Sequence, residues 1–67
     1  MLSIILANPE DGSIVRLKSV EQNGKRFLIT EIKHEIYGKI DTKTVTHASI
    51  IKVTRGFRKR GYEVIFG

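Results

Sequence analysis

The sequence predicts a small α+β domain: an antiparallel sheet organised by one tight hairpin, a C-terminal basic helix and a short closing strand. Three observations lead there. Asn23-Gly24 separates two β-rich segments, Ile50, Val53 and Phe57 recur at helical spacing, and Gly61 stands just behind that stripe as a helix stop. Sixty-seven residues give one domain spanning residues 1–67, with room for a single core.

The elements follow in chain order. Leu2–Ala7 is a short apolar run bounded by Asn8-Pro9-Glu10-Asp11-Gly12, a strand followed by a loop. Ser13–Glu21 and Lys25–Tyr37 are strands around the turn Gln22-Asn23-Gly24-Lys25. Asn-Gly at the two central positions suits the positive φ angles of a type I′ turn. That turn sets the register: Gln22 opposes Lys25, Glu21 Arg26, Val20 Phe27, Arg16 Glu31, and Val15 Ile32. These pairs match opposite charges and apolar side chains, and a slip of one residue would lose them. One face then carries Val15, Leu17, Leu28, Ile32 and Ile36; the other mixes Ile14, Arg16, Lys18, Val20, Phe27, Ile29, Glu31 and Lys33. Gly38–Asp41 forms the exit turn.

Residues 46–60 admit two structures. As a helix over Thr46–Arg60, the segment buries Ile50, Val53 and Phe57 and turns Lys52, Arg55 and Lys59 to the opposite side, with Arg58 beside them. Arg58, Lys59 and Arg60 then complement the macrodipole in the last turn, and Tyr62–Phe66 closes the sheet. Against this stand the β-branched run from Thr42 to Thr54 and Gly56 in the helix interior. The rival is an all-β five-stranded SH3- or OB-like barrel with a strand over Lys43–Thr54 and a basic loop over Arg55–Gly61. Segregated charge plus a glycine stop favours the helix. The expected core is Ile4, Leu6, Val15, Leu17, Leu28, Ile32, Ile50, Val53, Phe57, Val64 and Phe66.

Composition bounds the function. Cysteine is absent, which excludes disulfides and thiolate metal sites, and two histidines with scattered carboxylates form no metal-ligand pattern. No cofactor is expected. Homodimerisation is the remaining way to supplement so small a core. Leu2–Ala7 is too short for a signal-peptide core and no run reaches the ~20 apolar residues of a membrane span, so a cytoplasmic protein is expected.

Charge is the informative feature. Residues 1–42 balance six Lys/Arg against six Asp/Glu, whereas residues 43–67 set Lys43, Lys52, Arg55, Arg58, Lys59 and Arg60 against Glu63 alone and hold the whole net charge of +5. A field concentrated at one end draws polyanions, and Arg binds phosphate through a planar fork. The expectation is a small regulatory or accessory nucleic-acid-binding protein. Lys52, Arg55, Arg58, Lys59 and Arg60 would grip the DNA or RNA backbone; Arg16, Lys18, Lys33 and Phe27 would form a secondary platform. A solvated surface is the bland reading of both sets. The alternative function is an interaction module, an inhibitor or accessory subunit, that meets an acidic protein partner.

Catalysis is not expected. Walker, Gly-x-Ser-x-Gly and His-Glu-x-x-His patterns are missing. His34 between Glu31 and Glu35, with Tyr37, Tyr62 and the arginines, leaves a small ribonuclease as the remote enzymatic alternative; His47 reads as a polar residue near the helix start.

Overall fold

Asn23 and Gly24 stand at φ 53° and 75°, the two positive angles that a type I′ turn requires. They join β2 (Ile14–Gln22) to β3 (Lys25–His34). All five expected cross-strand pairs are found, from Gln22 opposite Lys25 down to Val15 opposite Ile32. The protein is described here by a computed structural model covering residues 2–34, 38–46 and 49–67. The expected extension of β3 through Ile36 and Tyr37, and the positions of Glu35 and His47, lie outside the described residues.

Around this hairpin, β1 (Leu2–Ala7) pairs with β2, β4 (Lys39–Thr46) with β3, and β5 (Glu63–Phe66) with β1. Every pairing is antiparallel, and the sheet order is β4-β3-β2-β1-β5. The sheet is open, with β4 and β5 at its edges, so the barrel alternative fails. Helix α1 (Ile50–Lys59) connects the two edge strands.

Two boundaries differ from expectation. Residues 39–46 form a strand where an exit turn and a helix start were expected. The helix begins at Ile50 because Ser49 caps it, its Oγ accepting the Lys52 N–H at 3.4 Å. The β-branched run Thr42–Thr46 thus belongs to β4, where branched side chains fit the pleat.

The helix ends as Gly61 predicts. Gly61 adopts φ 97°, its N–H bonds the Arg58 carbonyl at 3.1 Å, and the Tyr62 N–H bonds the Phe57 carbonyl at 3.2 Å. That is a Schellman arrangement, and its usual apolar contact is present: the Phe57 and Tyr62 rings meet edge to face, 5.3 Å between centroids. Gly56, by contrast, has no positive φ, and a Cβ there would meet nothing within 4 Å. Gly56→Ala is therefore expected to raise stability by about 1 kcal/mol through helix propensity alone. Chemical denaturation checks this, as a higher midpoint with an unchanged m value.

The core lies between α1 and one face of the sheet. Leu6, Val15, Leu17, Leu28, Ile50 and Phe57 are buried, and Ile4, Ile32, Val53 and Tyr62 pack against them. Val64 and Phe66, expected in the core, are 42% and 61% exposed because β5 is an edge strand that the helix does not cover. No helix among the described residues is long and apolar enough to cross a membrane.

One polar tie holds the β1–β2 loop to the helix terminus. Asp11 Oδ1 accepts hydrogen bonds from the Ser13 N–H at 2.8 Å and the Ser13 hydroxyl at 2.6 Å. With the Ser13 proton so committed, the Tyr62 hydroxyl donates to Ser13 Oγ at 2.7 Å. The Ser13 hydroxyl, its N–H and the charge of His34 hold the Asp11 carboxyl below its ordinary value of 3.8. A depressed folded value stabilises the fold above pH 3.8 and is lost as pH falls through it. Between about pH 5 and about pH 3, the unsubstituted protein is expected to lose more stability than Asp11→Asn, as read by urea unfolding at each pH.

Candidate nucleic-acid interface

The amphipathic pattern of α1 decides where its charges go. Ile50, Val53 and Phe57 turn to the sheet, leaving Lys52, Arg55, Arg58 and Lys59 exposed on the outer side. Arg55 lies three residues from Lys52 and Arg58 and four from Lys59, so adjacent turns stack these cations into one patch. Among the described residues, no Asp or Glu oxygen lies within 4.0 Å of any of them. Like charges at this spacing repel, and an anionic ligand relieves that repulsion. Arg58 and Lys59 are favoured in the last turn by the helix dipole.

Arg60, at the C-cap, is held differently. Its guanidinium carbon sits 4.7 Å from the centre of the Phe57 ring, a cation–π contact that fixes the side chain while leaving the residue exposed. Arg60 and Lys43 also line a groove of about 450 Å³ between α1 and the β3–β4 half of the sheet, floored by Leu28, Ile32 and Val45. The groove exists because a helix about 10 Å across cannot cover a sheet of five strands spaced about 4.8 Å apart. Lys43 is the cation that sequence reasoning left out of the site: with β4 unrecognised, nothing brought Lys43 beside the end of the helix.

The remaining expected residues lie on the other side of the molecule. Arg16, Lys18, Phe27 and Lys33 sit on the sheet face away from α1, alternating with the core residues Val15, Leu17, Leu28 and Ile32. There Arg16 meets Glu31 across the strands at 4.0 Å, a half-exposed pair of small energetic weight. Lys18 opposes Ile29, and Phe27 is half-buried between Val20 and Thr46 on the neighbouring strands. The nine residues therefore divide three ways: an uncompensated helix face of Lys52, Arg55, Arg58 and Lys59 with exposed Ile51 among them, Arg60 at the groove, and a dilute sheet face where an acid and aliphatics interrupt the cations.

The His34 constellation is rearranged. His34 and Glu31 are an odd number of residues apart in β3, so their side chains leave opposite faces of the sheet. His34 Nε2 instead meets Asp41 Oδ2 of β4 at 3.2 Å. Both partners are substantially exposed, in keeping with a surface pair. Among the described residues, no cluster of His, Asp or Glu is arranged to hold a metal.

Comparison with protein-family models, curated proteins and solved structures returned no match.

Proposed function

We propose that the chain is a small nucleic-acid-binding protein, regulatory or accessory in role, that grips the phosphate backbone through the outer face of α1. The observation that carries this reading is the patch formed by Lys52, Arg55, Arg58 and Lys59, exposed on one helix face without an acid partner among the described residues. Three of the five cations that include Arg60 are arginines, whose forked donors match phosphate oxygens in a way lysine cannot. The helix lacks Asn and Gln, the residues that read adenine edges. Binding is thus expected to follow backbone shape and charge rather than base sequence.

The test is a titration against duplex DNA, single-stranded DNA and structured RNA, each at two salt concentrations. The proposal expects binding to at least one of them that weakens steeply with salt. Absence of binding to all three, or affinity indifferent to salt, defeats it.

The groove favours a second reading. Its apolar floor and a rim where Lys43 and Arg60 outnumber Asp41 suit an acidic protein segment with an apolar face. That reading gains if no nucleic acid binds and a Val45→Lys change in the groove abolishes capture of an acidic amphipathic peptide.

A further inference from the structure

The two edges of the sheet are built differently. β4 exposes Asp41 and Lys43, charges of the kind that discourage pairing with another chain. β5, Glu63-Val64-Ile65-Phe66, has no charge after its first residue and neither Lys nor Pro. Val64, Ile65 and Phe66 are 42%, 61% and 61% exposed. β5 is bonded to β1 on its inner side, with Ile65 as the extra residue where the register shifts, and among the described residues no strand lies on its outer side.

Surface area points the same way. The chain exposes 5043 Å² at 7.6 kDa, where a compact monomer of that mass exposes about 4,300 Å². The excess, about 750 Å², reflects an open five-stranded sheet that α1 covers on one face only, and it leaves apolar surface for a partner to cover. Among the described residues, six buried hydrophobic side chains make the core, and cysteine is absent, so a partner is a stabilising device open to so small a domain.

Charge selects the surface. The sheet face away from α1 and the rim of the groove are both net basic, and two copies meeting there would set like charges together. The β5 edge has no such conflict: antiparallel pairing places the two Glu63 side chains at opposite ends of the contact.

We propose that two copies of this chain associate edge to edge through β5, antiparallel about a two-fold axis perpendicular to the sheet. The product is one continuous sheet of ten strands with both α1 helices on the same face. Val53, Phe57 and Arg60 line the groove on the β3–β4 side of α1, so Ile51, with Arg55 and Arg58 four and seven residues further on, lies on the opposite flank of the helix, toward β1 and β5. In the pair, these arginine flanks face each other across the axis. If the phosphate reading of α1 holds, a nucleic-acid backbone crossing the pair meets both patches. The association itself does not depend on that reading.

Sedimentation velocity over a range of concentrations tests the proposal. The unsubstituted protein is expected to approach twice 7.6 kDa as concentration rises. The double variant Ile65→Lys with Phe66→Lys is expected to stay monomeric. Should lysine disturb folding, Ile65→Thr with Phe66→Thr keeps β propensity while removing apolar area, and is expected to weaken association with the far-UV spectrum unchanged. A monomer at every concentration, or a dimer that persists in a folded β5 variant, overturns the proposal. Nucleic-acid titration of the same samples separates the two ideas: salt-sensitive binding by a monomeric protein removes the dimer alone.

Discussion

Replacing Arg55, Arg58 and Lys59 together with alanine is expected to lower affinity for nucleic acid about a hundredfold at moderate salt, taking about 1 kcal/mol for each lost phosphate contact. The salt dependence should flatten in step. Each cation that neutralises a duplex phosphate contributes about 0.9 to the slope of log K against log salt, so removing three lowers it by about 2.7. The fold should survive. All three side chains are exposed, alanine is the strongest helix former, and the loss of favourable dipole contacts from Arg58 and Lys59 is offset by relief of repulsion around Arg55. Fluorescence anisotropy at several salt concentrations makes the measurement, with circular dichroism as the folding control. Undiminished affinity in a folded triple variant would remove α1 from the interface.

Phe57→Ala is expected to leave most molecules unfolded. The Phe57 side chain is 5% exposed and joins α1 to the sheet. Truncating a buried phenylalanine costs about 3–5 kcal/mol. Total stability scales to only about 3–10 kcal/mol for a chain of this length. Two further contacts go with the ring: the edge-to-face packing of Tyr62 and the Arg60 guanidinium above it. Thermal unfolding followed by circular dichroism should show no cooperative transition, or one far below that of the parent. Phe57→Leu keeps apolar volume and should fold, with Arg60 released from its perch. A Phe57→Ala protein melting at the parent temperature would contradict the core described above.

The features legible in the sequence were those that local physics imposes. Asn-Gly forces positive φ at Asn23 and Gly24, so every pair of the β2–β3 ladder follows by counting. Gly61 and the Ile50–Val53–Phe57 stripe marked the end and inner face of the helix for the same reason. β4 was legible only in part: the β-branched run put a strand over Lys43–Thr54 in the rival reading, but β4 is an edge strand whose described side chains are all exposed, so its true bounds were not marked. Without a buried set, it shows none of the period-two apolar alternation that betrays a strand. The start of α1 was misplaced in consequence, since Thr46 and Ser49 are both plausible caps and only recognition of β4 separates them. The pairing of β5 with β1 joins the two ends of the chain, and no local pattern encodes such a contact. Without it, Val64 and Phe66 read as core rather than edge.

The candidate site was legible in composition and, on the helix, in arrangement; the place of Lys43 beside the helix end was not. Charge counting found Lys52, Arg55, Arg58, Lys59 and Arg60, while the division of the nine residues between two sides of the sheet depends on which face α1 covers. Strand parity had already placed Arg16, Lys18, Phe27 and Lys33 on one face. The expected core, which joined Val15, Leu17, Leu28 and Ile32 to Ile50, Val53 and Phe57, already set the helix on the other face, as observed.

The central claim is that the outer face of α1, and not the opposite sheet face, meets the polyanion. Titrating isotope-labelled protein with a short nucleic-acid duplex while following backbone amide shifts tests it most directly. The account predicts perturbations concentrated from Lys52 to Gly61, with Arg16, Lys18, Phe27 and Lys33 unmoved. Shifts centred on those four residues, with α1 unchanged at saturation, would contradict it.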